Sequence, residues 1–459
     1  MKPIIFEIVQ GEEDLASHSG LGLIGVLLGK TRLRERLNAV ALPLHPQPEI
    51  SNSDVVFSMI GLLCLGQPDF AAIESFREDN FFRMALGLDQ VPSEATLRQR
   101  LDDVQGAFDA ILKEESAAMI RRHAPKIGAC HGTIVPLDMD VSPFDNSGTK
   151  KEGVSWTYKK GVEGYAPNFA YLGLEGYWVN VELWEGSHHC QKGTPENLRE
   201  AIRRSKRITS APLLVRMDSG NDSIDNIRVC REEGAGWLIK RNLRRESVEE
   251  WLETAQKYGS VERPRPGKVV YRGEIGVERA EIEAPLRQVF EVIVRSSDAT
   301  GQALLLPEVE VATFETSLSL APAEVIELYH AHGTSEPFHS EIKTDMDLER
   351  LPSGKFATNA LVLLLGMVAY NCLRLCGQES LREEEHLPPP ERAPMRKKVQ
   401  RRRLRSVMQD LIYMAVRLVR HARRIRLSFG RRNPWYGVWR RIYIRFTQGG
   451  ESRAGWNSA

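Results

Sequence analysis

Over the first hundred or so residues, apolar positions recur at helical spacing. The stretches "LGLIGVLLGKTRLRERL", "SDVVFSMIGLLCLG" and "FAAIESFRED" all carry it. "VPSEATLRQRLDDV" adds a cap signal at Ser93 ahead of Leu97 and Leu101, four residues apart. Residues 1–129 therefore read as an N-terminal helical domain. Within it, "SEATLRQRL" resembles the second helix of a helix-turn-helix, and a segment of that kind either binds DNA or packs its own domain.

From about Gly132 the period changes to that of strands. "TIVPLDMDV" is apolar up to two acids, Asp138 and Asp140. The next stretch, "GVSWTYKKGVEGYAPNFAYLGLEGYWVNVELWEGS", alternates aromatic and polar residues between glycine turns, as hairpin strands do. A helix "TPENLREAIRRSK", a buried strand "APLLVRMDSG" ending in Asp218, a helix "SIDNIRVCREEG" and a strand "GWLIKRN" follow. Three antiparallel strands followed by alternating helix and strand predict a mixed sheet with helices on its faces. In open sheets of this class, sites gather beyond strand ends, where Asp140 and Asp218 both fall. Residues 130–241 thus form the first part of a core. Residues 242–316 read as a β-rich insertion, 317–380 as helices that close the core, and 381–459 as a proline-rich linker, "EEEHLPPPERAP", with a basic segment.

The formal net charge of +1 conceals an asymmetry: from Glu391 onward there are about nineteen Lys/Arg against three acids, so the remainder is acidic by about fifteen charges. A basic tail on an acidic body suits a polyanionic partner, nucleic acid before membrane. "MRKKVQRRRLRSVMQDLIYMAVRLVRHARRIRLSF", which contains Arg401, Arg402 and Arg403, predicts a helix with one packed and one phosphate-facing side. Six cysteines show no disulfide framework, and "SHHC" at Ser187–Cys190 lacks the second ligand pair that a zinc site needs. The run "NALVLLLGMVAYNCLRLCG" is short and interrupted for a bilayer span and reads as a buried helix, and "MKPIIFEIVQGEED" has no signal-peptide layout. A cytoplasmic protein without a membrane partner is expected.

The densest chemistry lies in "YHAHGTSEPFHSEIK", Tyr329 to Lys343. Gly333 interrupts the helix that "PAEVIELYHAH" begins, and Pro337 suits the opening of a new turn with Glu336 at its cap. There Glu336 is either a capping group or one member of an active site. The segment has the spacing Y-x2-R-x3-E-x6-K, with His332 in the Arg position. With "LDMDVSP" and "LVRMDSGND" upstream it resembles the DDE transposases of bacterial insertion sequences, of the YREK-signature type, transposase DDE domain group 1. "PDFAAIESFRED", "HCQKGTPENLREAI" and "DLERLPSGKFATNALVL" extend the resemblance from about Leu15 to Phe446.

That resemblance implies an RNase H-like mixed sheet flanked by helices, with the β-rich insertion, the N-terminal helical domain (a candidate for binding DNA ends) and the basic helical C-terminal segment. It implies a DNA transposase that cleaves at transposon ends and joins them to target DNA. Asp140, Asp218 and Glu336 would hold two Mg²⁺ ions, with Mn²⁺ as a substitute. Hard carboxylate oxygens suit that ion, and two such ions serve in-line phosphoryl transfer. Asp138 remains the alternative to Asp140, since residues two apart share a strand face; Asp140 is preferred because it lies nearer the strand end and precedes a small-residue step, as the family's first acid does. Tyr329, His332 and Lys343 would contact DNA phosphates. His brings charge only when protonated, so that contact is pH-sensitive or Arg350 replaces it. Glu341 is the rival acid of the segment but falls off the signature. The implied partners are double-stranded DNA with terminal inverted repeats, target DNA and a second copy of the chain, in the bacterial cytoplasm at the nucleoid. Two other readings stay open: an RNase H-like nuclease that does not join strands, and a catalytically silent DNA-binding relative.

Overall fold

The computed structural model describes residues 5–44, 48–124, 126–189, 191–244, 246–279, 281–298, 300–331, 333, 336–382, 399–421 and 424–448. The chain divides into two compact units, one comprising Met1–Asp103 with Cys372–Ala459 and the other Val104–Asn371.

The second unit is built on a nine-stranded sheet. Its strands are β1 (Val135–Val141), β2 (Asn168–Leu172), β3 (Tyr177–Glu182), β4 (Leu213–Met217), β5 (Gly236–Lys240), β6 (Ser260–Arg265), β7 (Lys268–Arg279), β8 (Ile282–Ser297) and β9 (Ala303–Thr316). They lie in the order β6-β7-β8-β9-β5-β4-β1-β2-β3. β1, β4 and β5 run parallel, and every other neighbouring pair is antiparallel. An antiparallel meander followed by two strands parallel to its first member is the RNase H-like arrangement. The helices of this unit are α1 (Asp109–His123), α2 (Thr194–Ile208), α3 (Ile224–Glu232), α4 (Val248–Tyr258), α5 (Pro322–His330), α6 (Glu336–Ser340) and α7 (Phe356–Ser380), whose last residues belong to the first unit.

In the central strands burial follows the apolar pattern. β4, "LLVRM", is buried at every position, as a central parallel strand covered on both faces must be. The four strands after β5 are not a separate layer but continue the same sheet, β9 pairing with β5 through Phe314↔Lys240 and Thr316↔Leu238. Phe314 and Val289 of this extension pack with Leu214 and Leu238 of the central strands, and Val325, Ile326 and Leu328 of α5 sit on them. That cluster brings Tyr329, the next residue of α5, to the sheet.

Helix α7 is apolar nearly all round. At 25 residues, with a mean hydropathy of 1.8 in its most apolar window, it is longer than its interrupted sequence suggests and could span a bilayer by length and composition alone. That window is 94% buried within the protein, which makes it a core helix. Asn371 fastens it to β3: its Oδ1 accepts from the Trp178 N–H at 2.9 Å and its Nδ2 donates to the Trp178 carbonyl at 2.7 Å.

The first unit contains the helices Leu21–Gly29, Leu33–Asn38, Asn52–Cys64, Asn80–Leu86 and Glu94–Asp102. Asn52–Cys64 is buried at every residue. Ser93 caps its helix, accepting from the Thr96 N–H at 3.2 Å. Arg100 of the same helix is turned inward to the Ile50 carbonyl and Asn52 Oδ1. The basic C-terminal segment departs from the expected helix. After a short helix, Leu404–Val407, that continues as a π-helical turn, Met408–Ile412, it forms two antiparallel strands, Val416–His421 and Arg424–Phe429, and then a second helix, Tyr436–Gln448. The period is two: Val416 and Leu418 are buried while Arg417 is exposed, and alternation of that kind selects a strand over a helix.

One glycine controls how α6 meets the sheet. Gly176, at φ +69° in the turn between β2 and β3, lies under the Phe338 ring, and an added Cβ would land on that ring. Gly176→Ala is expected to destabilise the protein by about 1–3 kcal/mol in urea unfolding, through overpacking and a strained backbone.

Candidate active site

The site begins with a register. Asp138 on β1 lies directly beside Arg216 on the parallel strand β4. Arg216 donates from Nε to Asp138 Oδ1 at 2.6 Å and from Nη2 to Oδ2 at 2.7 Å, and its Nη1 donates to the Leu328 carbonyl of α5 at 2.8 Å. The two side chains are 2% and 0% exposed, so the fork is closed to solvent. Burial works against the Arg216 charge, but the Asp138 carboxylate outweighs it and holds its pKa above the ordinary value. Asp138, the alternative first ligand, is therefore occupied as a structural counter-ion.

Two residues further along each strand come Asp140 and Asp218. The register pairs Met139 with Met217, so its next step sets Asp140 beside Asp218, whose backbone is still extended at φ −77°, ψ 176°. Neighbouring strands lie about 4.8 Å apart, so two carboxylates on one face there stand side by side. Both are half-buried and line one cavity of about 500 Å³, together with Trp156, Tyr158, His188 and Asn221. Asn221 Nδ2 donates to Asp218 Oδ1 at 2.8 Å. Asp140 Oδ1 accepts from the Val141 N–H at 2.8 Å, and Oδ2 meets His339 Nε2 at 3.2 Å. Tyr329 reports the same local charge: burial first, and then the Asp218 and Asp140 carboxylates, push its phenol well above its usual range.

The segment Tyr329–Lys343 is divided between α5, α6 and a π-helical turn, Glu341–Asp345. Glu336 is the first residue of α6 and is exposed. It stands three positions before His339, hence on the same side of the helix, one turn from the residue that reaches Asp140. Glu336 is not among the residues lining the Asp140–Asp218 cavity, and among the described residues no three His, Cys, Asp or Glu side chains stand close enough to hold a metal ion. The structure thus brings together two of the three expected acids and leaves the third on an adjoining turn. Glu341 is 1% exposed and faces the core, where the Tyr370 hydroxyl donates to its Oε2 at 3.4 Å.

Lys343 Nζ donates to the Pro143 carbonyl at 2.6 Å and sits over the Phe144 ring, tying the π turn to the loop that follows β1. Burial lowers its pKa, opposed by Glu349. Arg350 is exposed. His332 lies outside the described residues, as does Cys190 of the His/Cys group. In the first unit, Arg402 is 4% exposed, pairs with Asp410 and covers the Trp435 ring, so the side chain expected to face phosphate is turned inward. Burial lowers its pKa, Asp410 opposing. Arg403 is exposed and Arg401 half-buried. Sequence reasoning missed Arg216 and His339; the signal for Arg216 was an arginine inside an otherwise apolar strand.

Comparison with known proteins decides the family. The model of the transposase DDE domain group 1 matches residues 7–449, nearly the whole chain. The chain belongs to that family. Members are transposases that act on DNA, and divalent metal ions are their general cofactor. Among curated proteins none matches the chain in sequence. A solved structure similar to it is the piggyBac transposase synaptic complex with hairpin DNA, at 10% identity and a TM-score of 0.39, covering 78% of this chain and 75% of that one.

Breaking the buried pair and altering the open acid should have separable effects. Arg216→Met leaves Asp138 buried and uncompensated and is expected to cost about 3–5 kcal/mol in urea unfolding. Asp140→Asn should change stability by no more than about 1 kcal/mol.

Proposed function

We propose that this family member is a transposase that cleaves DNA at the ends of its element and joins them to target DNA, with Asp140, Asp218 and Glu336 as the ligands of two Mg²⁺ ions. The observation that carries this reading is the register of β1 and β4, which sets Asp140 and Asp218 side by side at adjacent strand ends, open to one cavity. Two hard carboxylates that repel one another in a half-buried cleft fit a divalent cation. Glu336 would complete the set from the first residue of α6, one helical turn from His339, which reaches Asp140. The ions supply Lewis acidity for attacking and leaving oxygens of an in-line displacement.

The chain's own residues do the rest. Asp140 and Asp218 would hold the cations, and the cations would offset the charge of the scissile phosphate, which bare carboxylates repel. Water attacks phosphorus in the first step and a 3′-oxygen leaves; in the second, the freed 3′-hydroxyl attacks a phosphate of target DNA and displaces the 3′-oxygen of the neighbouring target nucleotide, which takes up a proton. Tyr329, close to both aspartates, and Lys343 on the π turn would orient the strand. His332 would grip a phosphate only when protonated. Arg401 and Arg403 remain as phosphate contacts of the basic segment. Two DNA ends carrying inverted repeats would be held by a homodimer.

Cleavage of a plasmid carrying the element's own ends, in Mg²⁺ or Mn²⁺, tests the assignment. Glu336→Gln is expected to reduce cleavage about 10³-fold, the equivalent of several kcal/mol of transition-state stabilisation. Equal cleavage by the variant would exclude Glu336, and cleavage without joined products would make the protein a nuclease. His332→Arg should bind end DNA about tenfold more tightly than the native chain at pH 8 and almost equally at pH 6.

A further inference from the structure

Neither the family match nor the signature assigns a role to His339, yet its buried ring reaches a candidate ligand, Asp140, from the helix that carries Glu336. It is 5% exposed. Its ring lies edge-on to Phe169 at 4.9 Å and to Tyr171 at 5.4 Å, so packing leaves it little rotational freedom. Both ring nitrogens are used: Nδ1 meets the Tyr171 hydroxyl at 3.2 Å, and Nε2 meets Asp140 Oδ2 at 3.2 Å. A hydroxyl donating to Nδ1 leaves the proton of a neutral imidazole on Nε2, where it is donated to the carboxylate. Asp140 then has one donor on each oxygen, the Val141 N–H on Oδ1 and His339 on Oδ2, and its carboxylate plane is held.

His339 also belongs to the helix that carries Glu336. Phe338, beside it, packs against Tyr171 at 5.0 Å and covers Gly176. Helix α6, only five residues long, is therefore docked onto β2 and β1 by Phe338 and His339, one helical turn from Glu336.

We propose that His339 is a positioning residue for the metal-binding carboxylates. Through Nε2 it orients Asp140, through Nδ1 the Tyr171 hydroxyl fixes its tautomer, and through α6 it fixes the distance between Asp140 and the Glu336 turn. The proposal rests on Asp140 being a ligand. Groups that hold a first ligand from behind typically contribute 10–100-fold to metal affinity, without touching the metal.

The test uses the full chain and Mn²⁺ alone, with free Mn²⁺ followed by electron paramagnetic resonance. His339→Phe keeps an aromatic ring and loses the donor; it is expected to weaken Mn²⁺ binding about 10–100-fold. His339→Gln can place an amide N–H near the position of Nε2 and should recover binding to within about threefold of native, because the donor and not the ring is what Asp140 needs. Asp140→Asn separates the claims. If it abolishes binding while His339→Phe does not change it, the positioning role falls and the ligand assignment stands. If His339→Gln binds as poorly as His339→Phe, the role is packing and the proposal falls. If Asp140→Asn binds as the native chain does, or if the native chain binds no Mn²⁺, the ligand assignment falls and takes the proposal with it.

Discussion

The buried fork between Arg216 and Asp138 is the constraint from which the site follows. An ion pair without solvent gains little over an apolar pair, but it tolerates no slip, because a shift of one residue would leave two buried charges unpaired. Here it locks two parallel strands in register where the covalent connection between them is long. Arg216 also donates to the Leu328 carbonyl, so the same guanidinium locates the end of α5 and with it Tyr329. Asp140 and Asp218 then need no interaction of their own to be neighbours. They are two residues beyond a pair that is already fixed, on the same face, where the sheet opens to the cavity.

This division of labour explains why the motif "LDMDV" contains two acids with different fates. Asp138 is held in a buried ion pair, whereas Asp140 lines the cavity. The sequence pattern left the two as alternatives, since period-two spacing puts both on one face. What separates them is the partner across the ladder, and strand pairing between residues 138 and 216 is not visible from either segment alone. The core strands were legible as strands because each is short, apolar and bounded by turn residues. The long strands β7 to β9 were legible as strands, but not as a continuation of the same sheet, because the pairing of β9 with β5 is a long-range contact. His339 was in plain view as one of three imidazoles in a dense segment. Its role depends on Tyr171, 168 residues away, and on a glycine turn that makes room for Phe338.

The basic C-terminal segment shows the opposite error, in which composition was stronger than pattern. A run rich in arginine suggested a phosphate-facing helix, yet Arg402 is buried against Asp410 and Trp435, and Arg445 donates to the buried Glu379 at 2.6 Å. Part of the positive charge is thus spent inside the first unit. The alternation of Val416, Arg417 and Leu418 was present in the sequence and, weighed by period, it predicts the strand that forms there.

The central claim is that Asp140 and Asp218, and not Asp138, bind the metal of a phosphoryl-transfer site. Exchanging the ligand's softness tests it most directly. With cysteine at position 140 or 218, cleavage of end DNA should be lost in Mg²⁺, which disfavours thiolate, and restored in Mn²⁺ or Cd²⁺, which accept it. Rescue at positions 140 and 218 is the result this account requires. Rescue of Asp138→Cys instead, or cleavage by Asp140→Cys that does not depend on the choice of metal, would contradict it.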